Sequence, residues 1–173
     1  METTWALATR QGPMSVTMSQ VAQEAGIGRA TLYKYFSDVE AILHAMHERH
    51  VLDHMVRLNK LRDATADASQ RLESVAHAYA LICHHRAKHG TVELSALTHQ
   101  PERVAGAERQ LLSLFEDLLT DAVTAGRVRT DTTVEELAIY SVHALGAASS
   151  LPTKAAAKRL VTVTLAALSP PGT

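Results

Sequence analysis

Between Gly26 and Phe36 the sequence reads GIGRATLYKYF, which places Arg29, Thr31, Tyr33, Lys34 and Tyr35 within one short stretch. Aromatic residues make up only 4% of the chain, so Tyr33, Tyr35 and Phe36 standing almost together need a reason. Arginine and lysine donate to phosphate oxygens and to guanine O6 and N7, a threonine methyl meets the thymine methyl, and a tyrosine hydroxyl suits a phosphate. Presented along one face of a helix, these groups could read a DNA duplex. Leu32 and Phe36, one helical turn apart, would face the other way, into a core. Plain packing is the competing reading for Tyr33 and Tyr35, because amphipathic rings often close a small core.

A second set of residues could bind metal. His44, His47, His50 and His54 lie along one helical stretch, and at about 100° per residue the last three share an arc of roughly 60°. Histidines three or four apart can share an ion. Against this, Cys83 is the only cysteine, no neighbouring thiol completes a set, and Glu48 points elsewhere. The expectation is a solvated stripe or polar seam, with no metal site, no cofactor and no catalytic group. A metal-binding helical protein, or a metal-responsive regulator using these histidines, is the alternative. His77, His84, His85, His89, His99 and His143 are read in the same bland way.

The elements that would hold these residues follow from composition. Of 173 residues, 46% are apolar but few are aromatic, so the core must come from Ala, Leu, Val, Ile and Met, which favour helices over sheets. An all-helical chain of about nine helices is expected. The formal charge of -1 gives no general basic footprint, so any nucleic-acid contact must be local. A single cysteine excludes an intrachain disulfide and a cysteine zinc cluster. No run of about 18 uncharged apolar residues could span a bilayer, and the start METTWALATRQGP is unlike a signal peptide, so a soluble cytoplasmic protein without membrane contact is expected.

Along the chain, residues 2–11 form a first helix burying Trp5 and Ala8, stopped by Gly12 and Pro13. Thr17 and Gln20 have the spacing of a capping box, Val21, Ala22 and Ala25 give an inward face, and Gly26 suits a left-handed helix end. A tight turn at Ile27 and Gly28 leads to a helix from Arg29 to Phe36, which completes a helix-turn-helix. Ser37 with Glu40, or Asp38 alone, caps a long linking helix over 38–61 that carries Ile42, Leu43 and Met46. After a polar hinge at 62–69, helical periodicity runs through Leu72, Val75, Tyr79 and Cys83 to Gly90, a short helix falls near 92–98, and Pro101 opens another that ends at Gly126. Thr132 with Glu135, or Thr133 with Glu136, caps the next. The last two helices, about 133–149 and 152–168, are apolar on more than one face, which predicts contact with a second copy of the chain.

These residues resemble the TetR family of bacterial transcriptional regulators. The resemblance lies in T-x-x-x-V-A-x-x-A-G-I from Thr17 to Ile27, T-L-Y-x-Y-F from Thr31 to Phe36 and E-A-I-L from Glu40 to Leu43, and it covers residues 3–46. It implies a helix-turn-helix DNA-binding domain over 1–46 and a helical ligand-binding and dimerisation domain over 47–173. Thr17, Arg29, Thr31, Tyr33, Lys34 and Tyr35 would face a double-stranded, palindromic operator gripped by a homodimer. An unknown small-molecule effector would release it from a cavity for which Tyr79, Cys83, Leu97, Leu111, Phe115, Leu118 and His143 are the candidates. A repressor, not an enzyme, is implied. Two departures bear on affinity: Val39 stands where the family carries lysine, and Met1 falls inside the first helix, where a basic arm would precede it unless the true start lies upstream. Each lost phosphate contact removes about 0.9 from the salt slope.

Overall fold

The computed structural model describes residues 2–12, 15–88 and 101–171, and the regular elements among them are eight α-helices and a short 3-10 turn. The helix expected near 92–98 lies outside the described residues. Helix α1, Glu2–Gln11, buries Leu7 and Ala8; the side chain of Trp5 is not among those described. Helix α2, Met18–Glu24, begins at the predicted capping box. The Gln20 amide donates to Thr17 Oγ1 over 3.3 Å and the Thr17 amide to Gln20 Oε1 over 2.9 Å, so two otherwise orphaned donors are satisfied reciprocally.

Helix α2 ends where Gly26 adopts a φ of +66°, a conformation costly for any residue with a Cβ. That reversal lets the Ile27 amide donate to Ala22 O at 3.0 Å and the Gly26 amide to Gln23 O at 3.2 Å, the paired closure of a Schellman end. Helix α3, Arg29–Tyr35, stops one residue before the expected Phe36, whose backbone is already extended. Asp38, rather than Ser37, then caps helix α4, Val39–Ala64: its carboxylate accepts from the Ala41 amide at 2.7 Å and from Ser37 Oγ at 2.9 Å. The Ala41 amide, followed by the Ser37 hydroxyl, holds the Asp38 carboxyl below its ordinary value, because both bonds favour the charged form.

Helix α4 runs past the expected Leu61 to Ala64, and helix α5, Ala68–Lys88, starts early because Asp67 accepts from the Gln70 amide at 2.9 Å. The polar hinge therefore shrinks to residues 65–67. Arg71 braces it, donating through Nε to Thr65 O at 2.9 Å and through Nη2 to Ala66 O at 3.0 Å while pairing with Asp121. Helix α6, Pro101–Thr124, is followed by α7, Val134–Gly146, whose capping box uses Thr133 and Glu136. The helix expected over 133–149 gives way at Ala147–Ser150 to the 3-10 turn, and helix α8 is Lys154–Leu168, capped by Thr153. Arg129 holds the end of α8, its amide donating to Leu168 O at 2.8 Å and its Nη1 to Ala167 O at 3.2 Å.

The residues gather into two compact units, one reaching Asp53 and the other formed by His54–Lys88 and Pro101 onward, with α4 continuing from the first into the second. In the first unit Leu7, Val21, Leu32, Ile42 and Leu43 share one core, with Phe36 and Val39 partly buried against it. The second has its own core, centred on Val75, Phe115, Leu118, Leu119, Leu145 and Val161. Complete burial of a side chain such as Phe115 contributes roughly 1.5–3 kcal/mol.

Candidate nucleic-acid interface and ligand site

One side chain fixes the orientation of helix α3. Leu32, 5% exposed, is its buried residue, and Phe36 tucks beneath its end. Because Leu32 must face Val21, Ala22 and Ile42 in the common core, Arg29, Ala30, Thr31, Tyr33, Lys34 and Tyr35 turn outward, and all six are exposed. Tyr33 is 50% and Tyr35 71% exposed, so neither ring closes the core below. The result is a ridge carrying two cations, one hydroxyl-methyl group and two phenols on a short helix.

Thr17 is also exposed, at the start of α2, but its hydroxyl is engaged with Gln20. Val39, which stands where a family lysine is expected, packs partly buried against the core, an apolar contact that a lysine ammonium would not make.

In the second unit the structure brings together five of the seven candidate ligand residues. Tyr79 and Phe115 stack edge to face with ring centroids 5.8 Å apart, and Tyr79 pairs with the Cys83 thiol one turn along α5. Leu111 and Leu118 share the Phe115 stripe of α6, and all five belong to the one apolar cluster. Burial first, then the neighbouring Cys83, pushes the Tyr79 phenol well above its ordinary range. Burial likewise raises the Cys83 thiol, more than the Tyr79 hydroxyl and the Arg86 charge lower it. Leu97 lies outside the described residues. His143 does not join the group: it is exposed, off the α7 stripe formed by Leu137, Ala138, Ser141, Val142 and Leu145.

The long-helix histidines do not converge. Among the described residues no group of three or more His, Cys, Asp or Glu is placed to hold a metal ion. His44 lies 3.5 Å from Glu40 Oε1, its neighbour one turn back. A solvent-open groove of about 570 Å³ lies instead by the α4–α5 hinge, lined by Arg62, Asp63, Arg71, Asp117, Thr120 and Asp121. It contains none of the candidate ligand residues, and its arginines are already paired with its aspartates. Elsewhere in the unit, Ile139, Tyr140 and Val163 leave large apolar side chains exposed on α7 and α8.

His84 is the correction that matters most. Sequence reasoning read it with the other histidines as part of a solvated stripe or polar seam, whereas it is fully buried, with Nδ1 3.3 Å from Ala148 O. No local signal marked it: at about 100° per residue Glu73 and His77, eleven and seven residues back, lie within about 20° of His84 on the same side of α5.

Comparison with known proteins agrees with this architecture. The profile described as bacterial regulatory proteins, tetR family, matches residues 1–46, and that described as the C-terminal domain of SbtR-like transcriptional regulators matches residues 75–170, more than half of the chain. The chain belongs to the TetR family of bacterial transcriptional regulators. No curated protein matches the sequence. Among solved structures, a TetR/AcrR-family regulator from Thermobifida fusca superposes with a TM-score of 0.82 at 14% identity, over 95% of this chain and 93% of that one. The ketosteroid regulator KstR2 of Mycobacterium tuberculosis gives 0.71 at 20% identity, over 97% and 92%. FadR of Bacillus subtilis, solved with stearoyl-CoA, gives 0.72 at 15% identity, over 96% of both chains. Among the described residues no helix is long and apolar enough to cross a membrane.

Proposed function

We propose that this TetR-family regulator acts as a homodimeric repressor, placing one α3 per subunit in successive major grooves of a palindromic operator. The observation that carries the reading is the α3 ridge: Leu32 anchors the helix while Arg29, Thr31, Tyr33, Lys34 and Tyr35 stand in solvent with hydrogen-bonding groups matched to phosphates and base edges. Lys34 and Thr31 are assigned to bases, Tyr33 to phosphate, and Tyr35 to the groove edge. At the start of α2, Thr17 serves by positioning, since its hydroxyl is engaged with Gln20.

Two recognition helices fit one face of a duplex only when about 34 Å apart, so the dimer itself measures the operator. A small molecule held near Tyr79, Cys83, Leu111, Phe115 and Leu118 would favour a second state in which α4 tilts and that spacing is lost. Release then requires only that ligand and operator prefer different states. Support for a ligand-responsive reading comes from FadR, a structural neighbour that was solved with stearoyl-CoA.

The direct experiment is selection of bound duplexes from a random pool, followed by titration of the selected operator at low salt. Lys34→Ala with Tyr35→Ala is expected to weaken that operator by at least about tenfold, at 1–3 kcal/mol for a good base contact. Dimer and melting temperature should stay unchanged, since both side chains are exposed. Undiminished operator affinity in this variant would sink the assignment.

A further inference from the structure

The second unit contains a hydrogen-bond acceptor that no described residue satisfies. His84 is 1% exposed, and its Nδ1 lies 3.3 Å from Ala148 O in the 3-10 turn. A carbonyl only accepts, so in the neutral ring Nδ1 carries the proton and Nε2 is a bare lone pair. Nε2 is buried and has no partner among the described residues. Flipping the ring does not help, because it would set a carbon against Ala148 O.

Ser69 Oγ is also buried without a partner among the described residues, but it stands at the start of α5, fifteen residues and about 22 Å along the helix from His84. The hydroxyls of Ser141, Thr164 and Tyr79 are committed elsewhere. Ser141 Oγ donates to Leu137 O at 2.7 Å, and Thr164 Oγ1 donates to Leu160 O at 2.9 Å. The Tyr79 hydroxyl is paired with Cys83. Buried polar groups nearly always find a partner, and leaving one unmet in an apolar interior costs about 1–3 kcal/mol. Among the described residues no group supplies that donor, and a bound molecule can.

We propose that His84 Nε2 is the polar anchor of a ligand site, accepting a hydrogen bond from the O–H or N–H of an uncharged, mainly apolar molecule. The three parts of that description have separate grounds. A donor is required because the nitrogen offers only a lone pair. The molecule is uncharged because, among the described residues, the buried polar ones of this unit are His84, Ser141 and Thr164, none of them an ionic partner for a charge. Its body is apolar because the core cluster to which α5 contributes, with Phe115, Val142, Val161 and Leu168 among its members, is apolar. The proposal deepens the effector reading and rests on it only for what binding does to DNA, not for whether binding occurs.

The test uses the full-length protein with phenol and toluene as probes, a pair of similar size differing in the donor. Ring signals of His84 are assigned by their loss in His84→Asn, which keeps an N–H for Ala148 O and removes Nε2. Phenol is expected to shift those signals saturably and to bind about five- to tenfold more tightly than toluene, the ratio corresponding to one net hydrogen bond of roughly 1 kcal/mol. In His84→Asn the preference should vanish. His84→Gln, which restores a polar atom near the Nε2 position, should recover part of it and serves as the second variant if His84→Asn folds poorly. Equal affinity for the two probes, a phenol preference that survives in His84→Asn, or a buried water exchanging magnetisation with the ring while phenol has no effect would each overturn the proposal. Operator affinity measured in parallel separates the two ideas: phenol bound at His84 with DNA binding unchanged supports the site and counts against the effector reading.

Discussion

A phenol and a thiol set against each other in an apolar core make the stability of the second unit depend on alkaline pH. Tyr79 and Cys83 both have folded-state pKa values above their ordinary 10.0 and 9.0, with burial as the leading cause. For an acid whose folded pKa is raised, the unfolded chain loses its proton first. The stabilisation is therefore complete below the ordinary values and declines as pH climbs beyond them. Melting temperature should hold to about pH 9 and then fall, and Tyr79→Phe should lessen the fall above pH 10, because its ring keeps the edge contact with Phe115 without an ionisable group. A decline of the same steepness in Tyr79→Phe, followed by circular dichroism from pH 8 to 11, would remove Tyr79 from this account. At this scale the sequence was legible where apolar periodicity spoke. Tyr79, Cys83, Leu111, Phe115 and Leu118 fall on stripes that a 3.6-residue period reveals. His84 and His143 show the limit, since a histidine marks neither face and its burial is decided by helices far along the chain.

At the scale of elements, local chemistry set most boundaries, and it works through a few atoms. Gly26 and Gly28 bracket the same turn, yet only Gly26 has a positive φ, at +66°. A Cβ on Gly26 meets nothing within 4 Å, so its cost is conformational alone, whereas on Gly28 it rests 3.6 Å from Thr31 Oγ1, an ordinary contact. Gly26→Ala should destabilise the first unit by about 1–2 kcal/mol, the penalty of the left-handed conformation, while Gly28→Ala should change it by a few tenths of that. Hydrogen exchange over residues 18–36 reads the difference, and equal effects would mean that the turn is not the constraint. Caps made of residues three apart were readable for the same reason: Thr17 with Gln20 declares itself by spacing, whereas spacing left Thr132 with Glu135 and Thr133 with Glu136 level and the structure uses the latter. Less readable were the ends set by tertiary contacts. The hinge narrowed because Arg71 reaches back to two carbonyls and across to Asp121, fifty residues away, a pairing that no local pattern announces.

For the molecule as a whole, the near-neutral charge supplies no general positive field for DNA, so on the proposed homodimer reading affinity would come from correct placement of two small ridges. On that reading placement would require the proposed dimer. Helices α7 and α8 bury Leu137, Val142, Leu145, Val161 and Leu168 inward, yet still present Ile139, Tyr140 and Val163 to solvent in the single chain. A helix apolar on two sides has one side left to cover, and in the proposed homodimer a second copy would bring the same surface to meet it. Val163, at 64% exposure, is the sharpest probe: a glutamate there leaves the chain's own core untouched but would bury an unpaired charge in a dimer seam. Val163→Glu should sediment as a folded monomer with unchanged helix content. It should also lose operator affinity by orders of magnitude, because a single α3 ridge reads only half a site and the second binding event is no longer intramolecular. Persistence of the dimer in Val163→Glu would move the seam off α8, and a monomer that still bound the operator with wild-type affinity would show that the two ridges do not act together.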